Sequence, residues 1–216
     1  ETGSARWADA AATVHLATWS GPRRDIDSTL ATSPAGASFV VGDVRVAGET
    51  WPDHRRWPRQ LAAEAATDDA ERLQERLRGV YAVGNVSASG AGWVFTDPLG
   101  LRCLYYGEDG SRFVIATRAE LVARALARGA EPAKDVDAST WLAYTAWWVG
   151  AATGYAGVST APPGAILRIE GGRCRWQANP YLADSAGPEA PRSRPVAEAA
   201  SAMVDDVADS LLSLIH

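Results

Sequence analysis

The side chains that most often carry chemistry are scarce in this chain: two cysteines, three histidines and one lysine among 216 residues. Cys103 and Cys174 are too few and too far apart for a disulfide framework or a zinc site, and such sparse usage makes a cytoplasmic compartment the expected one. Lys134 is the only lysine, which excludes a Schiff base or a lysine phosphate clamp anywhere else, and its polar surroundings fit plain solvation. His15, His54 and His216 fall in a strand, a loop and a terminal helix, with no partner pattern around any of them. No apolar run approaches the ~20 residues of a membrane span, and no charged-then-apolar signal segment stands at the front. Positive charge is also short: 21 Lys and Arg against 26 Asp and Glu give a net charge of -5, with a pI near 5.2. Nothing global therefore draws the chain to nucleic acid or an anionic membrane, and neither is expected as a partner. The Gly-x-Ser-x-Gly elbow, the His-Glu-x-x-His zinc motif and the Walker loop are all missing.

What is present is a globular composition, 47% hydrophobic and 22% charged, in a length suited to one domain or to one domain plus the opening of a second. Nine tryptophans exceed what such a core needs. On either a helix or a strand the adjacent Trp147 and Trp148 cannot both point into the same small patch, so either one serves an interface or the two are wedged between layers. "WPDHRRWP" is a proline-bracketed loop that either forms a binding surface or is simply pinned by Trp51 and Trp57. The front, "ETGSAR", has no methionine, and "SLLSLIH" stops inside a helical pattern, so both ends are expected to be cut from something longer.

Along the chain, "TVHLATW" (Thr13 to Trp19) and "ASFVVGDVRV" (Ala37 to Val46) read as strands. Gly42 within the second signals a bulge or a close backbone approach. Thr67 to Gly79 reads as a helix capped by Thr67 or Asp68 and left through Gly79. "VYAVGNV" and "GWVFTD" form a hairpin, and "CLYYG" and "RFVIAT" form a second one. "RAELVARALARG" predicts a helix with Leu121, Val122, Ala125 and Leu126 on one side. "VDASTWLAYTAWW" predicts another, started by capping residues around Asp137. "ILRIEGGRCRW" is a hairpin turning at Gly171 and Gly172. Residues 184–195, rich in Gly, Pro and Ser, are expected to be a linker. After it, Val196, Ala200, Met203, Val207, Leu211 and Leu214 make one apolar helical stripe over 196–216. Hairpins followed by helices, without βαβ alternation, predict an α+β fold of antiparallel sheets covered by helices.

"FTDPLGLRCLYY" is written as a strand, a tight turn and a strand. Asp97 can accept backbone N–H groups ahead of it, Pro98 presets the turn and Gly100 supplies a left-handed conformation. Tyr105 and Tyr106 should then alternate faces. On Leu77, Gly79, Tyr81 and Ala82, then Asp97, Gly100, Leu104, Tyr105 and Tyr106, then Ala116, Thr117 and Leu121, the chain resembles the glutaminase-type domain of asparagine synthetases and their relatives. Gly157, Val158, Pro162, Pro163 and Gly164 are similar to that family's return turn. The order holds from about Val41 to the end, roughly four fifths of the chain. The arginine- and alanine-rich drift is most like lasso-peptide cyclases and β-lactam synthetases.

The resemblance implies a four-layer αββα sandwich of the N-terminal nucleophile hydrolase type over residues 1–183, a linker over 184–195, and the first helix of a synthetase domain over 196–216. It also implies an N-terminal cysteine whose thiolate attacks glutamine with its own α-amino group as base. Here no cysteine precedes Cys103. Both cysteines fall in apparent strands, where a small buried hydrophobe is expected. Thr2 would need Glu1 removed before it could act. The glutamine-holding "N-G-E" is replaced by "GDVRVAGE", with Asp43 and Arg45, and only Asp68 and Asp69 could substitute for the acidic segment that grips the substrate amine. The pyrophosphate-cradling "S-G-G-x-D-S" loop is also missing. No catalytic, cofactor-binding or metal residue is therefore assigned to this chain, and ATP and magnesium are expected only in a downstream synthetase domain. The expected function is the glutaminase-inactive part of an ATP-dependent, AMP-forming amide ligase or cyclase, with peptide macrocyclisation one version of that chemistry. The expected partners are its own synthetase domain and a precursor peptide or partner protein. The rivals are a partner- or leader-peptide-binding module without catalysis, and an autonomous hydrolase that processing would have to activate.

Overall fold

The computed structural model describes residues 3–8, 15–20, 30–46 and 70–179. In chain order the elements are β1 (Gly3–Ala8), β2 (His15–Ser20), β3 (Leu30–Ser33), β4 (Gly36–Val46), α1 (Ala70–Arg76), β5 (Leu77–Ser87), β6 (Gly92–Thr96), β7 (Tyr105–Glu108), β8 (Phe113–Ala116), α2 (Ala119–Ala127), α3 (Val136–Thr145), β9 (Ser159–Thr160), β10 (Ala165–Glu170) and β11 (Arg173–Ala178). The fold is mixed α+β. Six strands form one sheet in the order β11-β10-β6-β5-β4-β3, three form a second in the order β8-β7-β9, and β1 pairs with β2. Every pairing between these strands is antiparallel.

The middle strands of the large sheet are apolar on both faces because both faces are covered. On β5, Leu77, Tyr81 and Val83 point to one side, joined by Phe95 of β6 and Ile166 of β10, and Ala70 and Leu73 of α1 pack on them. Ala82, Val86, Val94 and Leu167 point to the other side, where Leu104, Tyr106, Phe113 and Ile115 of the smaller sheet and its approach meet them. The period of two sends Tyr105, Val114 and Ala116 outward from that smaller sheet, onto Val122 and Ala123 of α2. Fully burying one such Leu, Val or Phe contributes about 1.5–3 kcal/mol, so these three seams dominate the fold's stability.

Gly42 is a close-approach glycine rather than a bulge. Its φ is +101°, a Cβ there would stand 2.2 Å from Val80 O, and the register runs on unbroken through Gly42↔Tyr81. Gly79 does not end a helix as its type suggests. Helix α1 stops at Arg76, β5 begins at once at Leu77, and Gly79 lies in the ladder opposite Val44. The bonds that β4 offers to residues 77–79 outweigh the helical pattern, and a one-dimensional reading cannot see β4.

Three further expectations are refined or shift. The cap of helix α3 is Asp135, two residues before Asp137: Asp135 Oδ1 accepts the Ala138 N–H at 2.8 Å, and Asp137 stands in the first turn. The helix ends at Thr145, which leaves Trp147 and Trp148 beyond it. On α2, Leu121 is exposed and Ala123 shares the buried side with Val122. The helix start at Thr67 or Asp68, the loop carrying Trp51 and Trp57, the linker over 184–195 and the stripe over 196–216 lie outside the described residues.

Candidate functional site

The turn after β6 adopts the geometry its residues specify. Asp97 is buried, Oδ1 accepts the Leu101 N–H at 3.0 Å and Oδ2 accepts the Arg102 N–H at 2.8 Å. Its carbonyl accepts the Gly100 N–H at 2.9 Å, and its own N–H donates to Tyr81 O at 2.9 Å. One carboxylate thereby satisfies two loop donors that would otherwise face the protein interior. Gly100 takes a φ of +65°, and a Cβ on it would come within 3.2 Å of Pro163. The Asp-Pro-Leu-Gly turn and the Pro-Pro-Gly turn, far apart in sequence, therefore lie against each other. Leu104 O accepts the Ala161 N–H at 2.7 Å beside them. Tyr105 and Tyr106 alternate as expected, Tyr105 beside α2 and Tyr106 between the sheets, where its ring stacks on Phe113 at 5.7 Å.

The cysteines are placed differently from each other. Cys103 is exposed and lies in the stretch between β6 and β7, not in a strand, with its thiol 3.5 Å from Gly100 O. The chain leaving the Asp97 turn joins no ladder until β7 begins at Tyr105. Cys174 sits half-buried in β11 against the seam between the sheets, and burial, then the Glu108 carboxylate, push its thiol up, away from the nucleophilic thiolate. Neither has a free α-amino group. Burial, then Cys103, raises the Tyr105 hydroxyl. Asp43, exposed, and Arg45, half-buried, share the β4 face that carries Val41, so both look toward the smaller sheet's side of the large one. His15 is exposed on β2, whereas Thr2, His54, Asp68, Asp69 and His216 lie outside the described residues.

A buried polar cluster that the sequence reading missed ties α1 to the edge of the large sheet. Glu71 pairs with Arg168 of β10 and accepts Gln177 Nε2–H at 2.5 Å. Gln74 donates to Thr96 O at 2.9 Å and accepts Asn179 Nδ2–H at 2.5 Å. The signal was available, since Glu71 and Gln74 lie three apart on the side of α1 that also carries Ala70 and Leu73. Its members bond to one another, which suits holding an element in place. Nearby, the buried Tyr81 hydroxyl has no hydrogen-bond partner among the described residues. Burial, then the Asp97 carboxylate, raises it far above the usual phenol range, so it stays protonated.

Among the described residues no three His, Cys, Asp or Glu side chains group to hold a metal ion, and no helix is long and apolar enough to cross a membrane. Compared with known proteins, the chain matches no family model and no curated sequence.

Proposed function

We propose that the chain is a degenerate class II glutamine amidotransferase-like domain, a four-layer αββα sandwich of the N-terminal nucleophile hydrolase type. In this reading it is the glutaminase-inactive N-terminal part of an asparagine synthetase-like enzyme that forms amide bonds at the expense of ATP. The observation that carries it is the contact between Gly100 and Pro163. Two of the turns that carry the resemblance, read separately along the sequence, meet in space, as parts of one inherited framework should. The packing order of α1, large sheet, small sheet and α2 supports the same reading. The reaction needs a thiol beside a free amine, and neither Cys103 nor Cys174, both internal, can supply that pair.

ATP and magnesium belong, on this reading, to a downstream synthetase domain, because the residues present do not fit them: the pyrophosphate loop is missing. The domain would support that synthetase and shape its substrate entrance, with a peptide as the substrate if the enzyme is a lasso-type cyclase. Incubation with glutamine should release glutamate no faster than a blank, and the glutamine analogue 6-diazo-5-oxo-norleucine should leave Cys103 and Cys174 unlabelled by mass spectrometry. Turnover, or an adduct on either cysteine, would overturn the assignment. A second reading, a peptide-binding module without catalysis, is favoured by the exposed aromatic side chains on and after α3.

A further inference from the structure

Helix α3 is fixed at both ends and covered along almost none of its length. At its start, the Asp135 N–H donates to Gly154 O at 3.2 Å while the Asp135 side chain caps Ala138. At its end, the Ala146 N–H donates to Leu142 O at 2.8 Å, and Thr145 Oγ1 lies 2.8 Å from Trp141 O and 2.9 Å from Trp147 O. The Trp148 ring rests so near Gly154 that a Cβ there would stand 3.2 Å from it. Yet Ala138 is the only buried residue of the helix, and Trp141, Tyr144 and Trp147 are 58%, 83% and 77% exposed. Single exposed apolar side chains are ordinary; several aromatics anchored in one place are not. With Trp148, Val136 and Val149 they offer on the order of 800 Å², one partner's share of a standard protein interface.

The charge along this segment selects the partner. From Asp135 to Leu167 the sequence contains no Lys, Arg or His. Lys134, at the boundary, is held over the Tyr155 ring, 4.0 Å from its centroid. Asp137 is exposed and precedes Trp141 by four residues and Tyr144 by seven, so one helical stripe carries a carboxylate and then two ring faces. The last turn of α3, where a cation is favoured by the helix dipole, has no basic residue of its own. Carboxylate, ring faces and dipole all attract a cation and repel phosphate.

We propose that this face docks an apolar peptide segment bearing arginine or lysine, whose cations lie over the rings toward Asp137 while its apolar residues cover Trp147 and Trp148. The proposal rests on the peptide-binding reading and is independent of the amidotransferase-like one. The test is calorimetric titration of the whole chain with a Leu/Arg amphipathic peptide, a Leu/Glu peptide of equal length, and phosphatidylcholine vesicles. The Leu/Arg peptide should bind. The Trp141→Ala/Tyr144→Ala variant should weaken it by about tenfold or more, and Asp137→Asn by about threefold, while Leu99→Ala, elsewhere on the surface, leaves it unchanged. Equal binding of the Leu/Glu peptide would overturn the choice of a cationic partner while leaving peptide binding intact. Indifference to the α3 variants would overturn the location. Vesicle binding without peptide binding would make the face a membrane contact, and binding of neither would remove the peptide-binding reading as well.

Discussion

Asp97 shows how much a single side chain settles. Its two oxygens each hold a backbone N–H, so Asp97→Ala strands two partly buried donors and should cost about 2 kcal/mol in urea unfolding. Asp97→Asn should recover only part of that, because one of its two side-chain positions becomes a donor facing a donor. Asp109 makes a comparable turn at the surface, where hydrogen bonds from Arg112, then Ser111, with Arg128 adding, hold its carboxyl well below the ordinary 3.8. A group depressed in the folded state contributes its full stability above its unfolded value and loses it as pH falls toward the folded one. The stability gap between the native chain and Asp109→Asn should therefore be constant near neutrality and close below pH 3.8, which a pH series of unfolding curves would read. The Asp97 turn was legible in sequence because its bonds are local. Cys103 was misread because its exposure depends on where the chain runs after the turn, which no local pattern records.

At the scale of elements, hairpins were legible and helix boundaries were not. The strands of all three predicted hairpins, β5–β6, β7–β8 and β10–β11, sit where turn residues and period-two patterns put them. Helix α1 is shorter than its pattern, since β4 captures residues 77–79, and α3 starts from Asp135 because that carboxylate reaches the Ala138 N–H. Leu77 is buried in the strand, as an apolar residue at a helix end also would be expected to be, so its hydrophobicity alone does not place the boundary. The close approach at Gly42 makes a definite prediction: Gly42→Ala should cost on the order of 4 kcal/mol, because a Cβ would strike a carbonyl in the neighbouring strand rather than a movable side chain. Leu73→Ala, which empties the seam between α1 and the sheet, should cost about 2–5 kcal/mol by chemical denaturation.

Across the whole molecule, the α+β class and the antiparallel sheets followed from the order of hairpins and helices, because that order limits how layers can stack. The meeting of Gly100 with Pro163 did not, and neither did the Glu71–Gln74 cluster, since both join parts of the chain that share no pattern. The exposed face of α3 was half-legible: the surplus of tryptophan was plain, but whether Trp147 and Trp148 were wedged inside or turned outward needed the end of the helix to be located.

The polar cluster has a mechanical side. Asn179, one residue past β11, is hooked onto α1 through Gln74 and, by a longer bond, the Glu71 carbonyl. The final strand of the sheet therefore cannot fray from its C-terminal tip without first unhooking from the helix on the sheet's other side of the seam. A pull applied at Asn179 would therefore be felt at α1 before it reached the sheet.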